Sequence, residues 1–211
     1  MFGSFARWAK DGTLPRIIDL LRQRIRSRTG RSPQPVALVV DSQSVKAADT
    51  VPRATSGYGP AKKITGRKRH LAVDLGGLLV DLLVTPADVS DREGGRRLLA
   101  RLRAAHPEIT IVWADSAYAG ELVDWAEKAP PHHSQDRQTA ARCPGLHRPA
   151  PQVGRGTQSA WFMRARRNCR DYERLPAHAE AHLQWSAITP MRRHLARTAG
   201  APAQPVVALA V

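Results

Sequence analysis

The chain has 211 residues, enough for one sizeable core or one domain with an appendage, and its 42% apolar content can fill that core. No apolar run approaches the ~20 residues of a bilayer span, the start MFGSFARWAKDG lacks the apolar centre of a secretory signal, and Cys143 and Cys169 are too few for a disulfide framework. These features point to a reducing cytoplasm and no membrane, and 33 Lys and Arg against 18 Asp and Glu, a formal +15, favour polyanionic partners. Charge alone does not separate a nucleic-acid partner from a merely basic soluble protein.

In chain order, Leu14 to Arg28 reads as an amphipathic helix, with Leu14, Ile17, Ile18, Leu21 and Ile25 on one stripe and arginines elsewhere. Gly30, Ser32 and Pro33 end it. Val36 to Asp41, VALVVD, is a β-branched run closing on an acid and predicts a buried strand. Residues 42–66 are polar and rich in small side chains, which predicts a long loop. HLAVDL and LLVDLLV around Gly76-Gly77 predict a hairpin. A helix capped by Asp91 and strengthened by Glu93 runs to about Ala105. Thr110 to Asp115, TIVWAD, is a second apolar run closing on an acid, and a short helix follows from Ala119 to Lys128.

The character changes from Ala129 to Ser159. That stretch has neither helical nor strand period and almost no large apolar residue, so it is expected to lack regular elements longer than a turn. Helical texture resumes at Ala160 and runs, with a break at Pro176, to about Arg197. WFMRARRNCRDYERL in that region is basic along one side, with Trp161, Phe162 and Leu175 as its inward residues. The tail AGAPAQPVVALAV reads as unstructured or loosely docked.

Two strands ending in aspartate carry chemical potential. Strand ends of an open α/β sheet are where ligands bind, and two acids there repel unless a hard divalent cation lies between them. Paired metals hold the attacking and leaving oxygens of phosphoryl transfer. Aspartate is also a common cap and turn residue, so position alone does not distinguish the two roles.

The surrounding motifs do. DSQSVKAAD from Asp41, GRKRHLAVDLGGLL from Gly66, TPADVSDREG from Thr85 and VWADSAYAG from Val112 resemble, in order, the DDE-type bacterial insertion-sequence transposases, in particular the subgroup with an IDSQSVK-like first motif. The resemblance spans about Phe5 to Lys128 and resumes from Ala160 to Arg197. It implies an α/β, ribonuclease-H-like mixed sheet flanked by helices. It also implies Mg2+- or Mn2+-dependent cleavage and strand transfer at transposon ends, with transposon-end and target DNA as partners and a homo-oligomer as a possible assembly. By position, Asp41 matches the first catalytic, metal-binding acid and Asp115 the second; Asp74 and Asp81 are competing acids of structural or secondary standing. Lys46, Lys62, Lys63, Arg67, Lys68, Arg69 and His70 are the expected DNA contacts, all but Lys46 in a basic loop before the hairpin. The basic stretch after Ala160 is a further candidate, against the alternative of a solvated face.

The third family acid, a glutamate in a string like RRWVVER before AW, is missing: this chain reads PQVGRGTQSAW, with no glutamate between Glu127 and Glu173. Synonymous codons for Pro131 to Ser159 can be chosen so that the neighbouring frame reads LTIARTVRPPHDARGFTVLPRRWVVERS, with a GAA glutamate codon straddling Gly156 and Thr157. One inserted base near Ala129 and one deleted near Ser159 would produce the segment. The expected organisation is 1–33, a remnant of a truncated helical region; 34–128, the first part of the catalytic domain; 129–159, a disrupted and disordered segment; 160–198, the C-terminal helices; and 199–211, a tail. Such a copy is expected to be inactive, and a noncatalytic DNA-binding remnant that interferes with intact transposase is the alternative. His132, His133, Cys143, His147 and Cys169 lack the paired spacing of a zinc site, and no GxSxG elbow supports a serine hydrolase through Ser42 or Ser44.

Overall fold

The computed structural model describes residues 7–114, Tyr118, the backbone of 145–147, and residues 162–198. Its elements are α1 (Thr13–Arg28), β1 (Ala37–Lys46), a 3-10 turn (Arg53–Thr55), β2 (Gly57–Gly59), β3 (Ile64–Asp74), β4 (Leu79–Pro86), α2 (Asp91–Ala105), β5 (Ile111–Ala114), β6 (Gly145–His147), a second 3-10 turn (Arg166–Asn168) and α3 (Pro176–Thr198). The architecture is the expected α/β mixed sheet flanked by helices, consistent with a ribonuclease-H-like fold. The expected helix Ala119 to Lys128 and the tail lie outside the described residues.

The sheet runs β2-β3-β1-β5-β6, with β4 also paired to β3. β1 is central: antiparallel to β3 from Leu38↔Asp74 to Lys46↔Gly66, and parallel to β5 from Ala37↔Ile111 to Val40↔Ala114. Alternation along β1 divides two cores. Val39 joins Leu71, Leu82, Phe162, Leu183 and Met191 beneath α1 and α3, while Leu38 and Val40 join Ala72, Leu98, Leu102 and Val112 beneath α2. Burial on both faces explains the unbroken apolar run of β1.

Four expectations need correction. Residues 42–66 are not one loop, because β1 continues to Lys46 and β3 begins at Ile64. Ser42, Gln43 and Ser44 are half-buried, so this end of β1 shows no apolar pattern although its backbone ladder is complete. Gly66 permits the pairing: a Cβ there would lie 2.0 Å from the Val45 carbonyl oxygen. Second, the cap of α2 is Ser90, whose side chain accepts from the Glu93 N–H, and Asp91 is the first helical residue. Third, the stretch from Phe162 to Leu175 is mostly irregular around its 3-10 turn, and Leu175 is exposed rather than inward, while Trp161 lies outside the described residues. Pro176 opens α3, because proline suits a first helical position where the missing N–H costs nothing. Fourth, a paired strand exists within 129–159, since Gly145–His147 lies parallel to β5; the rest of that segment is outside the described residues.

The α1 stripe also carries charge inward. Arg22 and Arg26 are buried with Leu14, Ile18 and Ile25. Arg22 reaches Asp19 at 2.7 Å and donates to the Leu79 carbonyl at 3.1 Å, while Arg26 pairs with fully buried Asp74. The Asp74 Oδ1 accepts from the Gly76 and Leu78 N–H groups and so closes the β3-β4 turn.

The second buried pair joins the two parts of the chain. Arg67 on β3 has no exposed surface, and its Nη1 lies 3.1 Å from Asp171 Oδ2. It also donates to the carbonyls of Thr55, Glu173 and Arg174 and to Thr55 Oγ1. Removing one partner strands the other charge in the interior, which costs about 3–5 kcal/mol. Asp171→Ala is therefore expected to lower unfolding stability in urea by that amount. Arg97→Ala, which breaks the exposed Arg97–Glu93 pair, should change it by only about 0.5 kcal/mol; equal effects would refute the clamp.

Candidate active site

Asp41 sits within β1, half-buried, in register with Leu71 on β3, and its Oδ1 accepts from the Ser42 N–H at 2.8 Å. Strand alternation assigns it to the face of Val39. The parallel ladder between β1 and β5 ends at Val40↔Ala114, and the residue that follows each of these in sequence is an aspartate, Asp41 and Asp115. Asp115 itself lies outside the described residues.

The competing acids are engaged elsewhere. Asp74 closes the hairpin turn and neutralises Arg26. Asp81 meets Arg101 at 2.9 Å, and burial raises its carboxyl above the ordinary range despite that cation. Glu180 accepts from the Val84 N–H at 3.0 Å, and burial raises it too.

Two later acids among the described residues are engaged away from β1's central part. Asp171 bridges to Ala47, six residues along the chain from Asp41 and so on the order of 20 Å away at ~3.3 Å per residue. Its carboxylate holds Arg67. Glu173 is taken by Arg167 at 2.8 Å and His182 at 3.1 Å. Among the described residues no group of three His, Cys, Asp or Glu side chains is placed to hold a metal ion. Of the histidines and cysteines considered for zinc, His132, His133 and Cys143 lie outside the described residues, only the backbone of His147 is described, and Cys169 is an exposed free thiol.

The expected DNA contacts divide sharply. Lys46, Lys62 and Lys63 are exposed, and Lys63 takes a left-handed backbone, φ 52°, at the turn into β3. Lys68 is half-buried and spans to the Val89 carbonyl at 2.8 Å and Asp91 at 3.2 Å. Arg67, Arg69 and His70 are not in a loop at all: they lie on β3 and are buried. Arg69 donates to the Asn168 carbonyl at 2.7 Å, and desolvation lowers its pKa to about 10. These three have no surface to offer a phosphate. In the segment after Phe162, Arg164, Arg166 and Arg170 are exposed.

His70 is the group that the motifs did not explain. Its Nδ1 lies 3.4 Å from Tyr118 Oη and its Nε2 lies 3.1 Å from Thr85 Oγ1, with all three residues buried. Gly94 of α2 makes room for it, since a Cβ there would sit 2.1 Å from the ring. A signal was present in the alternation of Arg67, Lys68, Arg69 and His70, which is strand period as much as charge run.

Burial lowers the His70 pKa from 6.5 to about 4. A depressed histidine binds its proton more readily when unfolded, so its contribution is fully present above pH 6.5 and is lost as pH falls toward 4. The loss amounts to about 3 kcal/mol at 1.36 kcal/mol per unit. Asp81 and Glu180, raised by burial, work in the opposite direction, so the difference between wild type and His70→Asn isolates the effect. That difference, from urea unfolding at pH 7 and pH 4, should shrink by about 3 kcal/mol as pH falls; a constant difference would disprove a buried neutral ring.

A family model described as Transposase DDE domain matches residues 32–186, well over half of the chain and across both parts of the sheet and the start of α3. No curated protein and no solved structure matches the chain. The match covers the strand bearing Asp41, the position of Asp115 and the β3 motif, and members of this family act generally in polynucleotidyl transfer. The chain therefore belongs to the transposase DDE domain family and has its place in DNA transposition.

Proposed function

We propose that this chain derives from an enzyme that cleaves and joins DNA at insertion-sequence ends, of the subgroup with an IDSQSVK-like first motif, and that this copy is catalytically inactive. The observation that carries the reading is the β1-β5 register, which stops one residue before Asp41 on one strand and one before Asp115 on the next. A half-buried carboxylate beside a parallel neighbour is the hard-oxygen donor chemistry that Mg2+ or Mn2+ takes. Asp41 and Asp115 would hold the ion, which when bound supplies charge to activate water and stabilise the leaving oxygen. The chain's own contribution is to carry Asp41 on β1 and to pair β1 with β5, the strand that immediately precedes Asp115 in sequence. Oligomeric assembly and a bacterial cytoplasmic setting belong to the same reading.

Inactivity rests on the absence of any glutamate between Glu127 and Glu173 and on the distant engagement of Asp171 and Glu173. We attribute the loss to a double frame shift bounding 129–159. The gene's nucleotides test this directly, because a codon set that does not read RRWVVER in the neighbouring frame ends the account. Replacing Pro131 to Ser159 by LTIARTVRPPHDARGFTVLPRRWVVERS should raise the melting temperature. It should also restore Mg2+-dependent cleavage of a duplex carrying the ends that flank the gene, where the present chain gives none. A restored chain no more stable than this one would refute the frame shift, and robust cleavage by the present chain would refute inactivity.

A noncatalytic DNA-binding remnant is the second reading, favoured by the exposed Lys46, Lys62 and Lys63 on a chain of formal charge +15. Each phosphate contact adds ~0.9 to the dependence of log affinity on log salt. Replacing the three lysines by alanine should therefore lower that slope by roughly 2–3 on duplex DNA, and an unchanged slope would place the contact elsewhere.

A further inference from the structure

A cavity of about 370 Å³ opens between the ends of α1 and α3 and the β3-β4 turn. Its lining includes neither Asp41 nor any of the exposed lysines. The size falls within the range of small-molecule sites, about 300–1,000 Å³. Its walls are apolar: Ile25 from α1, Val73 and Leu79 from the hairpin, Phe162, and Ala187 and Met191 from α3. On the turn side Gly76 and Gly77 offer only backbone, and Gly77 holds the left-handed conformation, φ 78°, that suits glycine. A Cβ at Gly77 would meet nothing within 4 Å, so the turn leaves open space there rather than a packed corner.

The rim is cationic. Arg31 and Arg197 line the cavity and are exposed, His194 is half-buried beside them, and no acidic residue lines it. The Arg31 guanidinium stands over the turn, where a Cβ at Gly76 would lie 2.9 Å from its Nη1. Arg26 also contributes to the lining, but Asp74 already takes its charge. Among the described residues neither Arg31 nor Arg197 has a carboxylate partner. The carbonyl ends of α1 and α3 oppose an anion here with about half a charge each. Part of that effect is already spent: Arg28 Nη1 donates to the Leu195 carbonyl at 2.8 Å and Thr29 Oγ1 to the Arg26 carbonyl at 2.9 Å. Two full guanidinium charges outweigh what remains.

Apolar walls disfavour a ligand that is polar along its whole length, since each buried polar group would go unpaired, and the rim disfavours a cation. We infer that this cavity is a binding site for a small monocarboxylate with an apolar body, the body against Phe162 and Met191 and the carboxylate at Arg31 and Arg197. A guanidinium suits that end because its planar fork of N–H donors matches a carboxylate. The site joins α1, the hairpin and α3, so an occupant stabilises the described fold by mass action.

The test titrates octanoate into the full chain by isothermal calorimetry, beside hexanoate, octanol and octylammonium. Octanoate should bind and raise the melting temperature. Hexanoate, two methylenes shorter, should bind roughly 15-fold more weakly, at about fourfold per buried methylene. Octanol should bind more weakly than octanoate, and octylammonium not at all. Arg31→Ala and Arg197→Ala should each weaken octanoate about fivefold, as expected of exposed ion pairs, and the double variant should no longer prefer octanoate to octanol. Ala187→Leu, which puts extra carbons into the cavity, should weaken octanoate and octanol alike. No binding of octanoate, equal affinity of wild type for octanoate and octanol, or an unchanged preference in the double arginine variant would each overturn the site. Full binding by Ala187→Leu would place octanoate elsewhere and overturn it as well. Should Ala187→Leu fail to fold, the double arginine variant, altered only at exposed positions, decides the matter, with urea unfolding as its control. Val207→Asp with Leu209→Asp tests the chain's own C-terminal stretch as a rival occupant: unchanged octanoate affinity supports a free ligand, and tighter binding rejects it.

Discussion

A guanidinium with no exposed surface must place its charge and its five N–H donors inside the protein, and Arg67 does so with five hydrogen bonds to oxygens drawn from two separate stretches of chain. Thr55 supplies two, Asp171 a carboxylate, and Glu173 and Arg174 their carbonyls. The cost of dehydrating such a charge is several kcal/mol, so the surrounding backbone is constrained to remain where it satisfies the fork. That constraint fixes the turn before β2, and it brings Asp171 to the end of β1, where it bridges Ala47. The chain preceding α3 is therefore held to the sheet by polar geometry as well as by Phe162 and Leu183 in the core.

Much of this was legible in the sequence where burial and period coincide. VALVVD and TIVWAD read as strands because both faces of the central sheet are covered, and α2 read to its last residue because its apolar spacing is regular. The reading failed where charge enters the interior. Arg22 and Arg26 interrupt the α1 stripe and look solvent-facing, yet Asp19, Asp74 and the Leu79 carbonyl receive them. The basic run from Arg67 to His70 looks like a loop because charge usually marks surface, yet its partners lie 12 or more positions away and no local pattern announces them. Of the candidate site, Asp41 and its strand were legible. The anchoring of Tyr118 was not, because a hydrogen bond across 48 positions leaves no period.

The burial of these cations also changes how the charge of +15 should be understood. A composition counts every guanidinium equally, but Arg22, Arg26, Arg67 and Arg69 spend theirs on carboxylates and carbonyls within the fold. The electrostatic surface available to a polyanion is instead made of residues such as Lys46, Lys62, Lys63, Arg164, Arg166 and Arg170. These project from turns and strand ends, where long flexible side chains reach phosphate without holding the backbone in place. Structural and DNA-facing cations are thus separate sets, although they alternate along the sequence.

The same separation governs catalysis and stability. The buried polar attachments described for this chain, Arg26 with Asp74, Arg67 with Asp171, and His70 with Thr85 and Tyr118, draw on residues before 119 or after 161. The glutamate that a complete set of family acids requires would come from between those two parts. A change confined to that interval can remove a metal ligand while leaving each of these attachments its partners. What such a change would withdraw is apolar cover, at about 25 cal/mol for each Å², and a carboxylate, so it would act on the chemistry and narrow the margin of stability without touching these attachments. The strand Gly145–His147 fits this view, since parallel backbone pairing on β5 requires no particular side chain. The backbone of any sequence can supply hydrogen bonds to an open sheet edge, whereas a carboxylate at a chosen place needs a particular residue.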